Sequence, residues 1–346
     1  MFKITFEEII AQENLLLAWR EFRRGKRRAK DVCEFERNLA DNLVGLENDL
    51  ASGAYRHGGY YRFRINDPKP RVIHKASVRD RLVHHAIHRK LYPLLDKIFI
   101  TDSYSCRMGK GTHRAMNKFK EYGHRLGQNN TRTTWVLKGD VRRFFDNIDH
   151  GILKELLSKY VLDEKVLELL DNVIDSFRIP GQVRNDKSSG AMCKRNTTGL
   201  PLGNLTSQLL VNVYMNEFDQ FVKYKLGLRY YIRYADDFVV LSENREWLES
   251  LISPIRQFLN ARLGLELHPD KLFIKTVASG VDFLGWVSFS DYRVLRSVAR
   301  RRMLRTILAK PEAAVFESYK GLLKHGKTYG LQGKVDNLRG LVLDWA

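Results

Sequence analysis

Asp236 and Asp237 stand side by side in the run RYADDFVVLS, Arg233 to Ser242, between apolar residues. An unpaired ionised carboxylate in an apolar setting costs several kcal/mol. Two of them are tolerable at the tip of a hairpin, here one turning at Ala235-Asp236-Asp237, from which they point into a cleft. Like charges so close still repel unless a cation holds them. A hard divalent ion such as magnesium prefers carboxylate oxygens. A third carboxylate would complete a site in which two ions, roughly 3.5–4 Å apart, clamp the attacking and departing oxygens of a phosphoryl transfer. Asp140, in VLKGDVRRFFD, is that third candidate, because it too ends an apolar strand-like run from Trp135 to Leu137. The bland alternative for the pair is a solvated surface turn.

The elements around these carboxylates follow from hydrophobic period. Residues 7–50 repeat apolar side chains at three-to-four spacing and read as helices interrupted by the basic knot RRGKRRAKD. SGAYRHGGYYRFRINDPKPRVIH alternates and turns at Asp67-Pro68, which predicts strand, turn and strand. Ser77 caps a following helix. TTWVLKGDVRRFFDNIDHGILKELLSKY predicts a strand, a bend and a helix capped by Asn147 or Asp149. Residues 181–199 are the best loop, followed by a turn and a long helix from PLGNLTSQLL. The Asp-Asp hairpin comes next, then one helix over about 245–263. The strands HPDKLFIKTV and GVDFLGWVSF follow, and a helical tail opens on RSVARRRMLRTILAK.

The chain has 346 residues, 59 of them Lys or Arg against 40 Asp or Glu, for a net charge of +19. So large an excess points to a polyanionic partner, nucleic acid being the commonest. Cys33, Cys106 and Cys193 form no paired pattern, which argues against a disulfide framework and for a reducing, cytoplasmic setting. No window approaches 18 consecutive apolar residues, so no membrane span is expected. His84, His85 and His88 offer a helical-turn spacing that suits a metal, yet no acid or cysteine stands nearby at zinc spacing, so packing or RNA contact is expected. Tyr104 and Tyr234 are core fillers or base-stacking rings.

YADD between hydrophobic strands resembles motif C of reverse transcriptases, and LKGDVRRFFDNIDH resembles their motif A. Further blocks follow in family order. DPKPRVIHKASVRDRLVHHAI is similar to the fingers segment and SYSCRMGKGTHRA to the block before motif A. GLPLGNLTSQLLVNVYMNEFD is similar to motif B, LGLELHPDKLFIKTV to motif D and VDFLGW to the primer-grip motif E. The resemblance runs from about 55 to 290. It implies an α+β right-hand polymerase: an N-terminal helical extension over 1–54, fingers and an antiparallel palm over 55–290, and a helical thumb over 291–346.

It also implies roles, position by position. Asp140, Asp236 and Asp237 would be catalytic and hold two magnesium ions, with manganese as a substitute and with the Val141 carbonyl helping. Asp237 is the least direct ligand of the three. Lys69 and Arg71 would grip the triphosphate of the incoming dNTP, as ammonium and guanidinium match phosphate charge. Phe145 falls at the steric gate that excludes a ribose 2′-OH; the alternative is a core aromatic. Leu202, Gly203 and Gln208 would face the nucleotide. Lys271 falls near the lysine proposed to protonate the pyrophosphate leaving group. Phe283, Leu284, Gly285 and Trp286 would form the primer grip, and Tyr234 would support the primer–template minor groove.

Motif B separates subfamilies. Where most relatives carry Gln-Gly and then Ser-Pro, this chain has Leu202-Gly203 and then Ser207-Gln208, which resembles the reverse transcriptases of diversity-generating retroelements. That family copies a template RNA with errors at adenines, forming a cDNA/RNA hybrid, and works with a pentameric accessory variability protein (Avd). An aliphatic Leu202 removes a polar check on base choice worth only ~0.5–1.5 kcal/mol per hydrogen bond. The alternatives are a group II intron-like or phage-defence reverse transcriptase and an RNA-binding, maturase-like protein without polymerase activity.

Overall fold

The computed structural model describes residues 2–66, 70–177 and 198–343. Asp67, Pro68 and Lys69, Cys193, and the expected loop up to residue 197 lie outside the described residues. Two compact units form, each from three segments: Met1–Thr101, Val141–Leu226 and Arg256–Glu266 in the first, and Asp102–Asp140, Gly227–Ile255 and Leu267–Ala346 in the second.

The helical stretch expected over 7–50 is four helices, α1 (Phe6–Ile10), α2 (Gln12–Phe22), α3 (Lys30–Arg37) and α4 (Leu39–Ala51). A capping box opens α1, with the Thr5 hydroxyl accepting from the Glu8 amide and the Glu8 carboxylate accepting from the Thr5 amide. Leu15, Ala18, Trp19 and Phe22 recur at helical spacing and are buried. Trp19 packs against Phe22 and Phe35 at centroid distances of 5.6 and 5.2 Å. The basic knot between α2 and α3 is an exposed turn. Strands β1 (Tyr60–Ile65) and β2 (Arg71–Ala76) pair antiparallel, Tyr60 opposite Ala76 and Ile65 opposite Arg71. Ser77 caps α5 (Val78–Leu95) as expected, its hydroxyl accepting from the Asp80 amide, and α2 packs along α5.

The histidines of α5 are packed. His84 is buried, its ring stacked on His57 with Nε2 atoms 3.0 Å apart. His85 meets the edge of Phe22 and His88 stacks on Tyr92. Burial holds all three below the usual imidazole range, His85 and His88 at about 4. The charges of Lys26, His88, Arg81 and Arg89 add to the effect on His85. A histidine whose folded pKa is depressed contributes stability that is present above the unfolded value, near 6.5, and is lost as pH falls toward the folded one. Urea unfolding is therefore expected to lose about 2–4 kcal/mol between pH 7 and pH 4.5. A His85→Gln/His88→Gln variant should show a clearly shallower slope across that window; an equal slope would contradict the assignment.

Further along lie α6 (Thr112–Leu126), β3 (Trp135–Asp140), α7 (His150–Ser158), α8 (Glu164–Asp175) and α9 (Leu205–Gln220). Of the two caps offered for α7, Asp149 is the one used, accepting from the Ile152 amide. Its own amide donates to the Tyr214 hydroxyl of α9, which donates to the Leu263 carbonyl. Then come β4 (Tyr231–Tyr234), β5 (Asp237–Ser242), α10 (Arg245–Ser250), α11 (Ile252–Leu263), β6 (Phe273–Thr276), β7 (Val281–Phe283), β8 (Trp286–Ser288) and β9 (Arg293–Leu295). The single helix expected over 245–263 is two. Pro254, without an amide hydrogen, sits in the first turn of α11, the position that tolerates it. The run GVDFLGWVSF is a hairpin rather than one strand, because Leu284 and Gly285 both take positive φ, +54° and +86°, and reverse the chain in two residues. Helices α12 (Ser297–Ala309), α13 (Ala313–Leu323) and α14 (Tyr329–Leu343) end the described chain.

In the second unit the strands order β4-β5-β3-β6, all antiparallel. The face carrying Val136, Ile232, Val239 and Leu241 is buried under Phe119 and Tyr122 of α6, with Val281 and Phe283 of β7 in the same core. A second core gathers Met116, Trp286 and Leu295 with Met303, Ile307, Phe316 and Leu323 of the C-terminal helices.

Candidate active site

Register places the carboxylates. Asp140, the last residue of β3, is the cross-strand partner of Asp237, the first residue of β5, so their side chains leave the same face of the sheet. Tyr234 also pairs with Asp237. The hairpin turn is therefore Ala235-Asp236, and Asp237 belongs to the strand rather than to the turn expected for it. Ala235 takes φ +53° to make the reversal. One residue back, Gly139 faces Phe238, and a Cβ there would lie 2.3 Å from the phenyl ring. Only glycine lets that ring close under the strand ends beside Asp140.

A buried arginine holds the turn. Arg233 is fully enclosed and donates from Nη1 to the Ala235 carbonyl at 2.9 Å and from Nη2 to the Ser103 hydroxyl at 3.0 Å. Its backbone pairs with Asp102 and Tyr104. The Asp102 carboxylate in turn accepts from the Tyr122 hydroxyl at 3.0 Å, and burial with the Asp102 charge keeps that phenol protonated.

Two lysines face the acids. Lys271, in the short turn Pro269–Lys271 ahead of β6, brings Nζ to 2.7 Å from Asp140 Oδ1. The His268 amide donates to the Asp140 carbonyl at 2.7 Å, fixing that turn to the strand end. Lys138 reaches 3.5 Å from Asp237 Oδ1, an oxygen that is buried and receives no hydrogen bond. Burial, then the Asp140 and Asp237 charges, push Asp236 up to about 6. Asp237 is raised too, chiefly by burial, with Lys138 opposing. Among the described residues no three acid, histidine or cysteine side chains already surround a common point. Even so, hard oxygen donors, mutual repulsion and a buried oxygen without a donor make this donor set one that a divalent cation fits.

The remaining candidates divide between the units. In the second, Phe283 and Trp286 are core residues, Phe283 beside Phe119 and Trp286 under the C-terminal helices. Of the four primer-grip positions only Leu284 and Gly285 form a turn, both half-buried, with Leu284 packed against both cores. Tyr104 is buried in the first core, and the Tyr234 hydroxyl accepts from Thr112. In the first unit, the backbone ties Leu202 to β2, since the His74 amide donates to the Leu202 carbonyl at 3.0 Å. Gly203 takes φ +107° with Ile73 so close that a Cβ would sit 2.9 Å from its Cγ2. Phe145 is half-buried, and its carbonyl accepts from the Leu200 amide at 2.8 Å. Arg71, Gly203 and Gln208 are exposed, and Val141 is buried. The structure thus brings Phe145, Leu202 and Gly203 together with the strand that carries Arg71. Lys138 and Arg233 were not singled out in the sequence, although a charge inside an apolar strand was the available signal for both.

Comparison with known proteins bears on this arrangement. A family model described as reverse transcriptase (RNA-dependent DNA polymerase) matches residues 65–288. Protein YkfC of Escherichia coli K12 is 27% identical over 308 residues, covering 79% of this chain and 76% of that protein. The group II intron-encoded protein LtrA of Lactococcus lactis subsp. cremoris is 24% identical over 331 residues, covering 76% of this chain and 51% of its own length. The chain therefore spans about half of LtrA. Among solved structures, a telomerase from Candida albicans in complex with a TWJ fragment of telomeric RNA superposes with a TM-score of 0.52 at 12% identity, over 72% of this chain and 48% of that one. At that identity the likeness is one of fold, the right-hand polymerase.

Proposed function

We propose a function from one established premise: the chain belongs to the reverse transcriptase (RNA-dependent DNA polymerase) family. RNA-directed DNA polymerisation is that family's chemistry. On our reading the chain extends a primer 3′-OH with dNTPs along a template RNA, yielding a cDNA/RNA hybrid. The observation that carries this reading is the pairing of Asp140 with Asp237 beside the Asp236 turn, at one end of the sheet.

Asp140, Asp236 and Asp237, with the Val141 carbonyl next in the chain, would hold two Mg2+ ions, or Mn2+ in their stead. Such ions supply charge neutralisation at the attacking and departing oxygens. The chain's own groups do the rest. Lys271, already paired with Asp140, is the proposed proton donor to the departing pyrophosphate. Lys69 and Arg71 would bind phosphate, Phe145 would exclude the ribose 2′-OH, and Leu202, Gly203 and Gln208 would line the base. The Leu284-Gly285 turn would meet the primer. The cations of α12 would contact template–primer phosphates without reading sequence. Among the described residues Cys33 and Cys106 are free thiols, which supports a reducing cytoplasmic setting. Among the described residues no helix is long and apolar enough to cross a membrane.

Within the family we favour the mutagenic retroelement type, with a structured template RNA and the accessory variability protein as partners. Leu202 and the Ser207-Gln208 pair support it. The match to LtrA favours a second reading, a group II intron-like enzyme. Sequencing cDNA made on a four-base RNA template separates them. Errors concentrated opposite adenines, and reduced in Leu202→Gln, are expected of the first; uniform fidelity in both proteins would assign the chain to the second.

A further inference from the structure

We infer that Lys138 is a built-in counter-cation of the carboxylate site: it positions Asp237 and lowers the site's affinity for divalent cations. The inference rests on the reading of Asp140, Asp236 and Asp237 as the metal-holding set. Strand alternation puts Val136, Lys138 and Asp140 on one face of β3. That face is core, with Val136 fully buried beneath α6, so the pattern calls for an apolar residue at 138. The lysine there is 9% exposed. A buried ammonium is costly unless charge and hydrogen bonds meet it. Lys138 finds both, donating to the Asp282 carbonyl of β7 at 3.0 Å and lying 3.5 Å from Asp237 Oδ1.

The two lysines of the site are not equivalent. The Lys271 side chain is 41% exposed and can leave Asp140 for solvent or a substrate. The Lys138 side chain is 11% exposed, and its ammonium is tethered to the neighbouring hairpin. Its ammonium is therefore fixed in place beside Asp237. Once Lys271 has left Asp140, a divalent cation approaching the three carboxylates meets two uncompensated negative charges rather than three, and Asp237 is held by the protein. Removing the ammonium has a sign that simple damage does not: the cluster becomes more negative, so it should attract cations more strongly while Asp237 loses its anchor.

The test uses the full chain as wild type, Lys138→Met and Lys138→Gln, with two readouts. The first is urea unfolding in EDTA, run as a double-mutant cycle with Asp237→Asn. Lys138→Met should lower the unfolding midpoint, and by no more than half as much when residue 237 is an amide that needs no counter-ion. Equal shifts in the two backgrounds would overturn the pairing. The second is a Mg2+ titration of primer extension. Lys138→Met should reduce the maximal rate yet lower the half-saturating Mg2+ concentration at least threefold. An unchanged or higher requirement would overturn the counter-cation role. Lys138→Gln keeps a donor for the Asp282 carbonyl without the charge. It should give the same Mg2+ shift with a milder midpoint loss, which covers a Met variant that fails to fold. If the wild type makes no cDNA, the polymerase reading fails, while the unfolding cycle still decides whether Lys138 pairs with Asp237.

Discussion

Replacing Asp236 by alanine is expected to abolish cDNA synthesis, a fall of at least about 10³-fold, while leaving the metal-free protein as stable as the wild type or more so. The loss follows from removing a charge that organises a phosphoryl transfer, the kind of electrostatic contribution worth several kcal/mol of barrier. The stability forecast comes from the opposite side of the same chemistry. Asp236 is pushed up to about 6 by burial and by the charges of Asp140 and Asp237. Without a bound cation its ionised form works against folding. Primer extension and a thermal melt in EDTA check both halves. A variant that keeps a tenth of the activity, or that melts well below the wild type in EDTA, would show that Asp236 serves structure rather than chemistry.

The second large effect concerns Arg233, which shapes the turn that presents one of the carboxylates. Arg233→Met should cost about 3–5 kcal/mol in urea unfolding, the range seen when one partner of a buried charged network is removed. The Ala235 carbonyl and the Ser103 hydroxyl would each lose a charged donor, beside the buried Asp102. Ala235 holds φ +53°, and a non-glycine residue stays in that region only where its surroundings enforce it. Arg233→Lys can satisfy one of the two acceptors and should recover part of the loss. A cost below about 1 kcal/mol for Arg233→Met would mean that the turn holds itself.

The carboxylates were legible because charge interrupting an apolar strand is rare enough to demand a reason. Asp140 and the Asp236-Asp237 pair both carry that signal. Their register was not legible. Which residue of β5 faces Asp140 depends on pairing between segments about a hundred residues apart, and the reading that put Asp237 in the turn missed by one position for that reason. The same limit hid Lys138: its oddity is visible in WVLKGD, but its acceptor, Asp282, lies 144 residues on. Local backbone chemistry explains the other misses. GVDFLGWVSF reads as one strand because nothing in Leu284 announces a positive φ, and the helix at 245–263 breaks ahead of Pro254 although its apolar period continues. Ser77 and Asp149 were readable as caps because capping is a short-range bond between neighbours. For the histidines of α5 the sequence left packing and RNA contact both open, and the ring contacts with His57, Phe22 and Tyr92 show packing.

The most direct test of the central claim is primer extension by the purified chain on a defined RNA template, with dNTPs and Mg2+, and with EDTA and Asp236→Ala as controls. The account predicts cDNA complementary to the RNA from the wild type alone or with its accessory protein and cognate RNA supplied, and none in either control. A wild-type protein that binds the RNA but makes no cDNA under any of these conditions would contradict it and assign the chain an RNA-binding, maturase-like role instead.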